Sequence, residues 1–207
     1  MKHEWKKKEK ELYLPPTQPV YIDVPELNFI TIKGEGNPGG EMFATHVATL
    51  YAMAYGIKMS PKKDINIPGY FDFTVYPLEG IWDLTEEAKK KYNGSFNKDD
   101  LVYTLMIRQP EFVDIKHFNI IKEMLTEKKK DLPIPDVQLE QIKDGPCIQM
   151  MHIGSYDDEP ASFAKMEEFA RLEAYSRTSK THREIYISDA RRVSPEKLKT
   201  VLRFKVH

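Results

Sequence analysis

The chain has little cysteine, no long apolar run and no spacing typical of metal ligands. Its one cysteine, Cys147, cannot form an intramolecular disulfide or a cysteine-based metal site. The six histidines show no ligand pattern such as i and i+4 on one helix. No apolar stretch approaches the roughly 20 residues of a membrane span, and the charged start, residues 1–10, does not resemble a secretory signal. A cytosolic protein with no metal, no cofactor and no membrane association is therefore expected.

An excess of charge of one sign is also missing. Lysine and arginine (31) nearly balance aspartate and glutamate (32), and the formal net charge is −1. Such a chain has no strong overall attraction for nucleic acid, and no direct nucleic-acid partner is expected. The basic runs at residues 6–8, 89–91 and 128–130 each have acidic neighbours, which favours solvated helix faces. The 41% of hydrophobic residues is ample to bury a core.

Motifs of two common enzyme classes are absent or out of context. The chain contains no G-x-S-x-G, and Ser155 and Ser188 lack the surroundings of an activated nucleophile. Residues 34–39 match G-x-G-x-x-G, but the following helix leads into paired strands, and Glu35 would repel a pyrophosphate. A serine hydrolase and a dinucleotide-binding enzyme are therefore disfavoured.

The two halves of the sequence repeat one order of predicted elements. In each half a strand-like run meets a glycine, and a helical pattern follows. In the first half the run is residues 29–32, the glycine is Gly34 and the helical pattern covers residues 41–59. In the second half the run is residues 148–153, the glycine is Gly154 and the helix is opened by Pro160. The spacing from Gly34 to Phe43 equals that from Gly154 to Phe163. Two strand candidates follow each helix: residues 71–76 and 101–107, then residues 183–188 and 200–206.

This repetition predicts an α+β fold of tandem strand-helix-strand-strand repeats with an antiparallel sheet. The pseudo-repeats cover about residues 28–110 and 139–207, within a single domain at 21–207, and a helix at 117–130 joins them. Residues 1–20 are interpreted as a charged, extended N-terminal arm, because Pro15, Pro16 and Pro19 disfavour a helix there. Helices are expected on one sheet face, which leaves the other face free for a ligand in a central cleft between the halves.

Polar and apolar side chains alternate in the last-but-one predicted strand. In a strand, Glu184 and Tyr186 share one face, while Ile185 and Ile187 share the other and can pack on a core. A carboxylate among aromatic rings suits a binder of cationic aromatic molecules or a general base. The alternative is an exposed strand face, or an ion pair between Glu184 and Arg183 or a neighbouring lysine.

Four stretches resemble the GyrI-like small-molecule-binding family, which is related to the drug-sensing effector domains of some MerR- and AraC-type transcription regulators. They are residues 22–25, 71–82, 152–156 and 182–192, and the similarity spans residues 21–206. The resemblance implies multidrug-type small-molecule binding in a central cleft with Glu184 at its base. The chain departs from the family at Ala190, where proline is expected, and it shows no DNA-binding module, so a role in transcription is not inherited.

Four further side chains are candidates for contact with a ligand. Trp82 can form a stacking wall for a flat molecule, and Tyr76 faces the cleft if residues 71–76 form a strand. Met150 can supply adaptable contacts and His152 can shuttle protons. Each of the four residues also has a structural alternative. Trp82 and Tyr76 can be core residues, Met150 can fill a gap in the core, and His152 can be held by structural hydrogen bonds. Tyr156 either reaches the cleft mouth or packs on its turn.

Three functions stay open at this stage. The first is a protein that binds hydrophobic, often cationic aromatic molecules. The second, which the resemblance implies for some stand-alone members, is a hydrolase that opens strained cyclopropane rings of DNA-alkylating natural products. In it, Glu184 and Tyr186 would orient or deprotonate the attacking water while Trp82 stacks on the substrate. The third is an interaction module that shields a protein partner such as DNA gyrase. Binding and hydrolysis use the same residues, so the sequence does not choose between them.

Overall fold

The protein combines α-helices with antiparallel strands in a computed structural model that describes residues 2–207. The strands are β1 (Val20–Glu35), β2 (Leu78–Leu84), β3 (Leu101–Gln109), β4 (Gln138–Ile153), β5 (His182–Tyr186) and β6 (Lys199–Lys205). The helices are α1 (Trp5–Lys8), α2 (Lys10–Tyr13), α3 (Glu41–Lys58), α4 (Glu86–Lys91), α5 (Ile115–Lys128) and α6 (Glu159–Leu172). Among the described residues, no helix has the length and apolar character needed to cross a membrane. The predicted α+β class is confirmed.

Each half of the chain has the predicted strand-helix-strand-strand order. The first half contains β1, α3, β2 and β3, with the short helix α4 inserted before β3, and the second contains β4, α6, β5 and β6. In both halves the last strand lies between the other two. The pairing is antiparallel, with Ile30 opposite Ile107 in the first half and Met150 opposite Leu202 in the second. The tandem repeat is therefore confirmed in element order, and the two halves also share one strand order.

The chain forms two compact units that interleave in sequence. The first contains the residues up to Glu4, Leu27–Leu78 and Trp82–Ile142, and the second contains Trp5–Glu26, Glu79–Ile81 and Lys143–His207.

In the first unit, helix α3 packs on helix α5. Leu50, Met53 and Ile57 recur at helical spacing and are fully buried. At Gly56, an added Cβ would lie 2.8 Å from Cδ1 of Leu125 on α5, so only glycine permits this close approach of the two helices.

In the second unit, helix α6 covers one face of the sheet β5-β6-β4. Met166 and Ala170 from the helix pack with Met150, Leu202 and Phe204 from the strands, and all five are buried. Pro160 lies in the first turn of α6, where its missing N–H removes no helical hydrogen bond. The predicted helix start at Pro160 is thus confirmed to within one residue.

The strand predicted at residues 71–76 is wrong, because the second strand begins later, at Leu78. Within residues 71–76 only Phe73 makes a β-bridge, with His3. The buried aromatic residues are Phe73 and Tyr76, whereas Phe71 is 41% exposed. Burial at positions three apart does not follow the period of two that a strand requires. The placement of Tyr76 by strand alternation therefore fails.

Residues 5–13 also differ from the extended arm that the sequence predicts. They form α1 and α2, and the side chains of Trp5 and Tyr13 are 4% and 2% exposed, with ring centroids 5.2 Å apart. Two four-residue helices are too short to show a helical period, and their formation depends on tertiary packing of the two aromatic rings. The lysines at residues 6–8 are exposed, as predicted.

Candidate ligand-binding site

Glu184 lies on the helix-covered face of the sheet in the second unit. It is paired with Leu202, which is paired with Met150, and directly paired residues project from the same face. Leu202 and Met150 both pack with Met166 of helix α6. Ile185 projects from the opposite face, where it is also fully buried. The predicted alternation is confirmed and Ile185 is buried, but the expectation that the ligand face is free of helices is wrong for Glu184, because helix α6 covers that face.

Two neighbours on strand β5 contact the Glu184 carboxylate. The hydroxyl of Tyr186 donates a 2.8 Å hydrogen bond to Oε2, and Nε2 of His182 lies 3.1 Å from Oε1. All three alternate residues thus form one polar row, and Glu184 is only 9% exposed. The phenol and the imidazole fix the orientation of the carboxylate, as a binding or catalytic acid requires.

A second buried acid, Glu159, occupies the first position of helix α6, within reach of the negative charge of Glu184. Burial, reinforced by the negative charge of Glu184, raises the pKa of Glu159 to about 10, so its carboxyl is protonated at neutral pH. Glu159 is 7% exposed, and its Oε1 makes no hydrogen bond within residues 2–207. Sequence reasoning missed this residue, because an acid at a helix start is ordinarily interpreted as an exposed charge that favours the helix dipole.

Tyr156 lies beside this acidic pair, in the short 3-10 turn that precedes α6. Its ring meets the ring of Tyr186 edge to face, at 6.1 Å and 90°. Burial, together with the charge of Glu184, raises the pKa of Tyr156 to about 12, although 40% of the residue is exposed. The two phenols therefore give the acidic pair an aromatic border that is partly open to solvent.

Met150 and His152 share the face of Glu184 but have structural partners. Met150 is 2% exposed within the core cluster under α6. The ring of His152 uses both nitrogens, with Nδ1 2.9 Å from Oγ of Ser162 and Nε2 2.9 Å from the carbonyl of Ser155. These contacts favour the structural alternative for each residue, and their contact with a ligand stays a prediction.

Trp82 and Tyr76 belong to the first unit. Trp82 is 5% exposed and lies in an aromatic cluster, stacked on Phe43 at 5.8 Å and tilted against Tyr103 at 5.5 Å. Phe43 and Tyr103, which were not predicted as ligand contacts, thus extend the aromatic surface of Trp82. Tyr76 is 3% exposed, with the guanidinium of Arg108 4.7 Å above its ring. That Trp82 and Tyr76 contact the same ligand as Glu184 stays a prediction.

The opposite face of the sheet in the second unit carries a separate cluster of buried charges. Arg183 donates to Glu79 at 2.9 Å and to Asp144 at 3.1 Å. Arg203 donates two hydrogen bonds to Oε1 of Gln149, at 3.0 and 2.8 Å. Because Arg183 uses its charge on this face, it is not the ion-pair partner of Glu184.

Two surface hollows of the second unit lie away from Glu184. A hollow of about 380 Å³ is lined by Asp23, Pro25, Glu26 and Lys143. Another of about 270 Å³ is bordered by the N-terminal segment and β1, and Gln149 lines it. None of the predicted site residues lines either hollow. Among residues 2–207, no three His, Cys, Asp or Glu side chains cluster as metal ligands would.

These features define a tandem-repeat α+β domain with a buried acidic pair bordered by phenols. A family model, the GyrI-like small molecule binding domain, matches residues 17–207. The chain therefore belongs to the GyrI-like family, and the predicted resemblance is confirmed.

Solved structures share this fold. An uncharacterized conserved protein from Listeria innocua is 38% identical, with 99% of this chain and 100% of that chain covered and a TM-score of 0.91. A hydrolase from Listeria innocua is 38% identical, with full coverage of both chains and a TM-score of 0.91. The C-terminal domain of EcmrR is 10% identical, covers 92% of this chain and 97% of its own, and has a TM-score of 0.51, which shows the fold alone. No curated protein matches the chain.

Proposed function

We propose that the protein binds hydrophobic aromatic molecules, preferentially cations, at Glu184. The single observation that carries this proposal is the buried carboxylate of Glu184, held by Tyr186 and His182 and bordered by the ring of Tyr156. Small-molecule binding itself follows from the family. The preference for cations follows from the charge.

An aromatic cation fits these neighbours better than a neutral molecule does. A carboxylate in a site of low polarity gains most from a partner that supplies positive charge without a tightly held water shell. Phenol rings attract such a cation through their negative faces. Tyr156 and Tyr186 provide these rings at the open side of the acidic pair.

The test compares a lipophilic cation with a neutral analogue of the same shape. Tetraphenylphosphonium and tetraphenylmethane derivatives of matched solubility are titrated into the wild type and Glu184→Gln, with binding measured by calorimetry. Glu184→Gln should lose about 10- to 100-fold in affinity for the cation, as expected for a charge-assisted contact, and little for the neutral analogue. Equal losses for both ligands would reject the cation preference.

A second candidate function is hydrolysis of a strained electrophile. The 38% identity over the full length to a protein named a hydrolase favours it. The carboxylate of Glu184, oriented by the hydrogen bond from Tyr186, would act as the general base. Glu184 takes a proton from water, the water oxygen bonds to a cyclopropane carbon, and the strained carbon–carbon bond breaks. In a substrate whose cyclopropane is conjugated to a carbonyl group, the electrons of the broken bond move to the carbonyl oxygen, and this oxygen then takes a proton.

A spirocyclopropyl cyclohexadienone tests this chemistry, because hydrolysis converts it to a hydroxyethyl phenol that chromatography detects. Wild-type protein should accelerate product formation, and Glu184→Gln should lose about 100-fold or more of that rate. Tyr186→Phe keeps the ring and removes only the hydroxyl, so it should lower kcat more than it raises KM. If the product forms no faster with wild-type protein than without protein, hydrolysis is rejected and binding stays as the proposed function.

A further inference from the structure

Arg177 lies in the loop between helix α6 and strand β5, shortly before His182. An isolated β-bridge joins its backbone to Val206, just beyond the end of β6. The backbone N–H of the next residue, Thr178, donates a 3.0 Å hydrogen bond to the carbonyl of Lys205. The loop is therefore fixed to the sheet at the point from which the Arg177 side chain extends.

Every nitrogen of the Arg177 guanidinium makes a hydrogen bond. Nε donates to the carbonyl of Ser179 at 2.7 Å, and Nη2 donates to the carbonyl of Lys180 at 2.8 Å. Nη1 donates to Oε1 of Glu167 on helix α6 at 2.7 Å. The Arg177 side chain is 13% exposed. A planar, rigid donor fork in this setting fixes the carbonyl groups that it contacts.

Two aromatic rings contact the same guanidinium. Its central carbon lies 4.4 Å from the ring centroid of Phe204 on β6 and 5.4 Å from that of Phe163 on α6. Phe163 in turn meets the imidazole of His182 edge to face, with ring centroids 4.8 Å apart. Because a cation attracts the face of an aromatic ring, Arg177 restricts the position of Phe163 and, through it, that of His182.

Arg177 thus reaches His182 by two routes. The first is Phe163, which packs against the imidazole ring. The second is the carbonyl of Lys180, which accepts from Arg177 and lies 3.5 Å from Nδ1 of His182. The other ring nitrogen, Nε2, lies 3.1 Å from Oε1 of Glu184. A shift of the imidazole therefore changes the contact that orients the Glu184 carboxylate.

We propose that Arg177 is a positioning residue for the ligand site, and that it acts on Glu184 by fixing the imidazole of His182. The proposal rests on the proposed function, because it requires a cation to bind at Glu184. The charge of Arg177 acts in the opposite direction, since a guanidinium repels a cationic ligand, and the ion pair with Glu167 offsets that repulsion. Positioning and charge therefore predict opposite effects on cation affinity when Arg177 is made neutral.

The position of the imidazole is tested first without any ligand. In protein labelled with nitrogen-15 at histidine and studied at alkaline pH, His182 should show one tautomer, with the proton on the nitrogen that faces Glu184. The His182 signal is assigned by its loss in His182→Phe. Arg177→Lys keeps the charge but removes the planar fork, so both tautomers should appear. An unchanged His182 signal in Arg177→Lys overturns the proposal.

Arg171→Lys is the matched control, because Arg171 also pairs with an acid of α6, Glu168, but is exposed. It should leave the His182 signal unchanged. Urea unfolding shows which variants are folded. If Arg177→Lys does not fold, Phe163→Leu supplies the test. It removes the ring between the guanidinium and the imidazole, and it should also make both tautomers appear.

The effect on binding is measured by calorimetry with tetraphenylphosphonium. Arg177→Lys and Arg177→Gln should each lose about 3- to 10-fold in affinity. In the His182→Phe background, the same two changes should cost less than about twofold, because the imidazole that Arg177 positions is gone. Arg171→Lys should bind the cation as the wild type does.

The calorimetry can contradict the proposal in two ways. Tighter binding of the cation by Arg177→Gln would mean that the charge of Arg177 matters and its positioning does not. Equal losses with and without the His182 imidazole would mean that Arg177 does not act through it. If tetraphenylphosphonium does not bind the wild type, the proposed function fails, and the nitrogen-15 signal still decides whether Arg177 positions His182.

Discussion

Arg183 and Glu184 are adjacent on strand β5, and their side chains lie on opposite faces of one sheet. Arg183 donates to Glu79 and Asp144 on one face, whereas Glu184 accepts from Tyr186 on the other. The strand thus separates a charge used for stability from the charge that we propose meets the ligand. Substitutions at these two neighbouring positions should have different effects.

Replacing Arg183 by Met should destabilise the fold by about 3–5 kcal/mol, because it leaves the buried Glu79 without its cation. Urea unfolding measures the loss. At low urea, where the variant is folded, its tetraphenylphosphonium affinity should stay within about twofold of wild type. The double variant Glu79→Gln/Arg183→Met should recover part of the stability. A double variant no more stable than Arg183→Met would show that the two side chains are not energetically coupled.

Replacing Glu159 by Gln should flatten the dependence of stability on pH. The pKa of Glu159 rises from an ordinary value of 4.5 to about 10 on folding, so the folded state keeps a proton that the unfolded state loses. Stability from this group is complete at pH values below the lower pKa and is lost as pH rises toward the higher one. The variant carries no such proton.

Thermal unfolding at a series of pH values measures this effect. From about pH 5 to pH 8, the Tm of the wild type should fall more steeply than that of Glu159→Gln, and the variant should gain roughly 8–16 °C relative to wild type over that range. Glu173→Gln, exposed at the other end of the helix, should follow the wild type. Parallel curves for wild type and Glu159→Gln would argue against a retained proton.

A variant with a single tryptophan can test whether Trp82 contacts the ligand. The chain has two tryptophans, Trp5 and Trp82, so Trp5→Phe leaves Trp82 as the only indole reporter. If Trp82 stacks on the ligand, an aromatic cation should change its emission with the same Kd that calorimetry gives. The Trp5→Phe/Glu184→Gln variant should shift that curve to higher concentration. An unchanged Trp82 emission on saturation would reject the predicted stacking.

Replacing Gly34 by Ala should disturb the aromatic cluster around Trp82. An added Cβ would lie 2.6 Å from the ring of Tyr103, whose hydroxyl lies 3.2 Å from Nδ1 of His46. A displaced Tyr103 would cost about 1–3 kcal/mol of stability, measured by urea unfolding. Adding Tyr103→Leu removes the ring that clashes and should make Gly34→Ala nearly neutral. A Gly34→Ala protein as stable as wild type would show that the backbone relaxes around the methyl group.

The sequence predicted the polar row on β5 because strand alternation is a local property. Glu184 and Tyr186 share a face in any strand, and they do. The expectation that helices leave the Glu184 face free was wrong because it depended on which residues are apolar, and strand β5 is buried on both sides. Arg183, 4% exposed, lies beside Ile185 on its face, so the two faces do not differ in polarity. Only the pairing with Leu202 decides which face meets the helix.

The role of Glu159 could not be predicted from its sequence neighbours, for a different reason. In sequence it is one of several acids before Pro160, and its neighbours Asp157 and Asp158 have the same appearance. What distinguishes it is its burial near the charge of Glu184, which is distant in sequence. The raised pKa is therefore a property of the tertiary structure, and composition or period cannot reveal it.

The contact between the N-terminal segment and the last strand has a consequence for the order of folding. Arg203 on β6 donates to the carbonyl of Leu12 across 191 positions, and Gln149 donates to the carbonyl of Glu11 across 138. Contacts of such long range close late, because loop closure costs entropy before the contacts form. On the ribosome, the carbonyl groups of Glu11 and Leu12 must wait for most of the chain before Gln149 and Arg203 exist. Nascent chains halted before β6 should therefore hold this segment open to proteases, while helices α3 and α5 already pack.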